Sequence, residues 1–100
     1  MRGISREVLA RDLAAQLGPA RCRGHREFWT EHEQAWFAAP KRREAEQAAA
    51  PALALCAGCP VIETCEAWAA VDLYTGLAAG KMWRRGRSRL PSRTELPLAS

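Results

Sequence analysis

Cys22, Cys56, Cys59 and Cys65 are the residues whose type and spacing point to a definite chemistry. They run C-x33-C-x2-C-x5-C. The two residues inside the C-x2-C pair turn the chain back on itself, so both thiolates can reach one point. A helical turn started by Pro60 lets Cys65 face the same point, and Cys22 arrives from far away in sequence to close the set. A thiolate-only set suits zinc or an iron–sulfur cluster. Structural zinc sites usually carry two tight pairs, and this chain has one, unless Cys22 and His25 form a C-x2-H second pair. Four-cysteine clusters accept one distant ligand. Metal-free redox chemistry at Cys56 and Cys59 is a third reading, since a C-x2-C pair can lower one thiol's pKa. The βαβ pattern that accompanies such thiol–disulfide enzymes is missing. On spacing alone the three readings stay open. His25 and His32 read as surface or core residues rather than ligands. The sequence offers neither a hydrolytic constellation nor a phosphate-binding glycine loop, so the protein is not expected to be an enzyme.

Helices must position these thiols. Ser5 can cap a helix over 5–17 in which Leu9, Leu13 and Leu17 recur every four residues, ended by Gly18-Pro19. The segment 21–29 has no clear period and reads as a loop around Cys22. Thr30 and Glu33 have capping-box spacing, which predicts a short helix over 31–39, ended by Pro40 and carrying Trp36 and Phe37. Residues 41–50 are strong helix formers. Pro51 should kink or split that helix before a second piece at 52–57. A last helix is predicted over 61–74, with Ile62, Cys65, Trp68, Ala69 and Leu73 on roughly one face. Gly76 and Gly80 bracket a short turn, and the chain after Trp83 reads as unstructured.

Composition says why an anchor is needed. Of 100 residues, 48% are apolar, yet 20 are Ala, so few large side chains remain to build a core. A core this thin rarely supplies more than about 3–5 kcal/mol. Only nine residues are Val, Ile or Thr, which argues against a β-rich fold. No 18-residue apolar run exists, so no transmembrane helix is expected. The N-terminus lacks the apolar stretch of an export signal, and a cytoplasmic chain is expected. Four cysteines in that compartment point to metal or redox chemistry rather than disulfides. The net charge of +4 hides an asymmetry: residues 1–80 come to −1 and residues 81–100 to +5. A near-neutral body with a basic tail suggests a polyanionic partner, met through Lys81, Arg84, Arg85, Arg87 and Arg89.

Several of these residues resemble the WhiB-like family of actinobacterial transcription regulators. The most specific segment is Cys56-Ala57-Gly58-Cys59-Pro60-Val61 followed by Cys65, which is similar to the family's C-x2-C-P-V-x3-C core. The single upstream Cys22, the aromatic pair Trp36-Phe37, the turn Gly76-Leu77-Ala78-Ala79-Gly80 and the basic tail agree with it, over about residues 20–89. The resemblance implies a 4Fe–4S cluster held by Cys22, Cys56, Cys59 and Cys65, sensitive to oxygen and nitric oxide. It implies an all-α fold of about four short helices organised around that cluster, with a flexible basic C-terminal tail. The expected organisation is an N-terminal helix in 1–19, a cluster-binding domain in 20–80 and a disordered tail in 81–100.

The family's partner is the C-terminal region of the principal sigma factor, bound by a monomer as a heterodimer with no membrane involved. The resemblance puts Trp36, Phe37, Gly76, Leu77 and Gly80 at that interface. Ala78 stands where the family usually has Trp, and Trp83, five residues later, is the candidate substitute. Arg85-Gly86-Arg87 resembles the centre of an AT-hook, with Ser88 where Pro usually follows. That implies an extended backbone in an A/T-rich minor groove, the alternative being non-specific attraction to phosphate. The function implied is a cluster-dependent transcription regulator. The competing readings are a cluster-free disulfide reductase and a zinc-stapled DNA-binding module.

Overall fold

A computed structural model describes residues 5–90 as four helices followed by a three-stranded antiparallel meander. Residues 91–100 of the expected tail lie outside the described residues, as do residues 1–4. Helix α1 spans Arg6–Ala14, and Ser5 caps it by accepting from the Val8 N–H at 3.2 Å. Among the described residues no helix is long and apolar enough to cross a membrane.

Helix α2 spans Arg26–Ala38 and therefore begins five residues before the expected start. The Thr30–Glu33 pattern is not a cap. Glu33 instead turns its carboxylate toward the C-terminal strands, accepting from Tyr74 Oη at 2.6 Å and from the Leu77 N–H at 2.8 Å. Helix α3 spans Arg42–Ala54 without splitting at Pro51. Pro51 and Gln47 are both exposed, so the carbonyl that loses its donor faces water. Ala49 and Ala52 sit on the opposite, fully buried face, where their small side chains let α2 and α3 pack closely. Helix α4 spans Ile62–Val71 and stops short of residue 74, because Leu73 turns left-handed at φ 54°.

The four expected helices are present, but the fold is not all-α, and residues 81–89 of the expected free tail form strands. Strands β1 (Gly76–Ala78), β2 (Lys81–Arg84) and β3 (Arg87–Arg89) pair in the order β1-β2-β3. Two-residue turns join them, and both residues of each have positive φ: Ala79 and Gly80, then Arg85 and Gly86. This is the type I′ geometry that matches strand twist. The strands carry few β-formers and the turns lack the Asn-Gly signature, so neither propensity nor turn chemistry announces them. Tertiary contact stabilises them instead. The Arg85 N–H donates to Thr75 Oγ1 at 2.9 Å, and the Gly86 N–H to the Tyr74 carbonyl at 3.0 Å. Arg85-Gly86-Arg87 is thus a docked hairpin turn rather than the extended segment an AT-hook needs.

The sheet separates two small cores. On one side Leu77 and Met82 pack with Trp36, Ala49, Ala52 and Leu53 of the α2–α3 pair. On the other, Ala78 and Trp83 pack with Ala69 of α4, flanked by Cys65, Trp68 and Tyr74.

Gly86 tests whether the C-terminal strands are structural. A Cβ there would lie 2.8 Å from the Ala70 carbonyl oxygen, at a backbone φ of +82°. Gly86→Ala is expected to cost about 1–3 kcal/mol in urea unfolding. Arg85→Asn, which creates the favoured Asn-Gly pair, is expected to cost nothing.

Candidate metal centre

Three separate segments bring the four cysteines to one cavity. At the end of α3 the chain tightens: the Leu55, Cys56 and Ala57 N–H groups bond three residues back, to Ala52, Leu53 and Ala54. The Cys59 N–H then bonds the Cys56 carbonyl at 3.0 Å, and Gly58 supplies the left-handed residue that closes the turn, at φ 74°. Cys65 follows in the first turn of α4, its N–H on the Val61 carbonyl. Cys22 lies in a run of turns before α2. Its neighbour Arg21 carries that run to the others, donating from Nη1 to the Ala57 carbonyl at 2.8 Å.

All four cysteines line a cavity of about 320 Å³, whose remaining wall is mostly apolar and includes Trp29, Ile62, Trp68 and Leu77. No disulfide joins them. Burial pushes the Cys22 and Cys56 thiols up, and Cys65 up to about 11, with neighbouring cysteines adding repulsion to each. Backbone N–H groups oppose this. Those of Gly80 and Ala79 favour the thiolate of Cys56, and that of Ala79 favours Cys65. The β1–β2 turn is thus a wall of the cysteine site.

The donor set fits a thiolate-ligated metal group, whether zinc or an iron–sulfur cluster. Four thiols in an apolar pocket repel one another as anions, and a bound cation removes both that repulsion and the cost of burial. Among the described residues no three Cys, His, Asp or Glu side chains are arranged to hold a single metal ion. His25 is exposed, and His32 places Nδ1 3.2 Å from the Ala48 carbonyl and its ring against Phe28.

The residues expected at a sigma-factor interface separate into two groups. Phe37 is 49% exposed at the end of α2. Trp36, Leu77 and Trp83 are only 3%, 1% and 2% exposed, and the Trp83 indole N–H is already bonded to the Ala78 carbonyl at 2.7 Å. Gly76 is buried and Gly80 half-buried beside Cys56. Of the basic residues, Lys81 pairs with Glu66. The Arg84 guanidinium lies 4.6 Å from the centre of the Trp36 ring. Arg85, Arg87 and Arg89 are exposed, and Gly86 is half-buried in its turn.

Sequence reading missed Arg21, Glu33 and Tyr74. A lone Arg beside a cysteine and a lone helical Glu carry no motif; their roles exist only across 36 to 44 residues of chain. Tyr74 lines the cavity, and its hydroxyl is held protonated by burial and by its bond to Glu33.

The fold and the site together define a small helical domain with a C-terminal hairpin, built on four gathered cysteines. The family model for the transcription factor WhiB matches residues 18–90, and the chain belongs to that family of transcription factors. No curated protein and no solved structure matches the chain.

Glu33 is the bond between α2 and the turn that walls the cysteine site. Glu33→Ala leaves the buried Leu77 N–H and the Tyr74 hydroxyl without their acceptor, and is expected to cost about 1–3 kcal/mol. Tyr74→Phe keeps the Leu77 bond and is expected to cost about 1 kcal/mol or less. Chemical denaturation of the metal-loaded protein checks both, and equal losses would remove Glu33 from this role.

Proposed function

We propose that this WhiB-family chain is an iron–sulfur-dependent transcription regulator. In this reading Cys22, Cys56, Cys59 and Cys65 hold a 4Fe–4S cluster. The exposed end of α2 engages the C-terminal region of the principal sigma factor, and the basic C-terminal strands contact promoter DNA. The observation that carries the reading is the shared cavity: four cysteines from three segments line one largely apolar space. A cytoplasmic protein acting as a monomer in a heterodimer with sigma, without catalytic activity of its own, completes the reading.

When bound, such a cluster supplies four iron–thiolate bonds that oxygen and nitric oxide can attack. The chain's own residues convert that tie into a surface. Arg21 holds the Cys22 segment against the Cys56–Cys59 loop. Ala79 and Gly80 turn their N–H groups to Cys56 and Cys65, so the β1–β2 hairpin sits where the sulfurs sit. The same hairpin carries the Leu77 N–H to Glu33, on the helix that presents Phe37. Trp36, Leu77 and Trp83 act from the core, fixing α2 and the hairpin beneath the contact surface. Release of the sulfurs removes the restraint on the hairpin and, through Glu33, on the aromatic end of α2.

Cys59→Ser is expected to lose iron, sulfide and sigma binding together after anaerobic purification. Phe37→Ala is expected to keep iron and sulfide while weakening sigma binding by about 2 kcal/mol, the scale of an interface hot spot. Tight sigma binding by the iron-free Cys59 variant would overturn the proposal. Tetrahedral zinc at full occupancy in the anaerobic wild-type protein would favour the zinc-stapled reading instead.

A further inference from the structure

Two basic segments that the sequence keeps some forty residues apart meet in one cleft. In the β2–β3 register Met82 faces Arg89 and Arg84 faces Arg87, so these four side chains share one face of the ribbon. That face continues past the α2–α3 core. One hollow of about 240 Å³ is lined by Trp36, Met82, Arg84, Arg87 and Arg89 among others. A second, of about 200 Å³, shares Trp36, Met82, Arg84 and Arg89 and extends to Lys41 and Arg42 at the start of α3. The two hollows form one cleft that runs from the head of α3, over Trp36, to the outer strand.

The charge of the cleft is one-sided. Among the described residues, Lys41, Arg42, Arg84, Arg87 and Arg89 line it against a single acid, Glu46, which is 2% exposed and pairs with Arg42 at 3.3 Å. Lys41, Arg87 and Arg89 are exposed, with no acidic partner among the described residues. Arg84 lies over the Trp36 ring, which orders its guanidinium before any ligand arrives.

We infer that this cleft is a seat for the phosphate backbone of duplex DNA, with Lys41 and Arg89 contacting phosphates at its two ends. The inference rests on the DNA contact proposed above and deepens it: contact is spread across α3 and the ribbon rather than confined to the C-terminal segment. Charge complementarity selects the occupant. Arginine forks and a lysine ammonium match phosphate oxygens, and neutralising them releases counterions whatever the base sequence. Base reading by Arg85-Gly86-Arg87 is not part of it, because that turn is docked on Tyr74 and Thr75.

The test uses the metal-loaded full chain, a labelled random-sequence duplex and a series of potassium chloride concentrations. Lys41→Ser, Arg89→Ser and the charge-matched Arg11→Ser, on α1 outside the cleft, are compared with wild type. Lys41→Ser and Arg89→Ser are each expected to flatten the slope of log affinity against log salt by about one. Arg11→Ser is expected to keep the wild-type slope. Lys41 is the N-cap of α3 and makes no side-chain cap bond, so serine there should raise the melting temperature while DNA affinity falls. That opposition separates a lost contact from a lost fold. If Arg89→Ser flattens the slope while Lys41→Ser behaves as Arg11→Ser, DNA contact by the ribbon stands and the cleft is overturned. Absence of salt-dependent duplex binding by wild type would remove the proposed DNA contact and the cleft together. Loss of binding to the sigma C-terminal region in Lys41→Ser, with duplex binding intact, would assign the cleft to an acidic protein and overturn DNA as its occupant.

Discussion

Four thiols share one largely apolar wall, and together they cannot ionise cheaply there without a cation between them. Burial raises Cys22, Cys56 and Cys65, and each feels its neighbours as further repulsion. The remaining architecture follows from bringing those sulfurs together against that cost. α3 must end in a tightening turn, Gly58 must close it, and the Cys22 segment must be held by Arg21. A hairpin must also present its turn amides to the sulfurs. A thin, alanine-rich core could not enforce this arrangement alone. A metal group bound by these ligands would therefore be a folding component.

The aromatic residues divide their labour in a way that spacing does not reveal. Trp36 and Phe37 are adjacent, yet a helix turns successive residues by about 100°, so one faces the core and the other faces solvent. Trp83 lies under the sheet against α4 with its N–H satisfied. It is no replacement on the surface for the tryptophan that Ala78 lacks. Of the adjacent aromatic pair, Phe37 alone is left exposed.

Glu33 and the ribbon show why local rules misled. Thr30 and Glu33 have the spacing of a capping box, but a carboxylate that reaches two donors 41 and 44 residues away serves the tertiary structure first. Arg-Gly-Arg in a basic segment reads as an extended DNA-binding motif, yet Tyr74 and Thr75 fold it into a turn. Pro51 reads as a break, yet it faces water on a helix whose other side is locked by Ala49 and Ala52. In each case the local preference amounts to a few kcal/mol at most and is outweighed by packing that involves distant residues.

The cysteine pattern, the presence of four helices and the concentration of positive charge after residue 80 were legible from the chain alone. Each depends on residues close in sequence or on composition. The cavity, the burial of Trp36, Leu77 and Trp83, all three strands and the meeting of Lys41 with Arg89 were decided by the tertiary structure. All of these join segments tens of residues apart. No local propensity encodes such a meeting, because its stabilisation appears only once the intervening chain has folded.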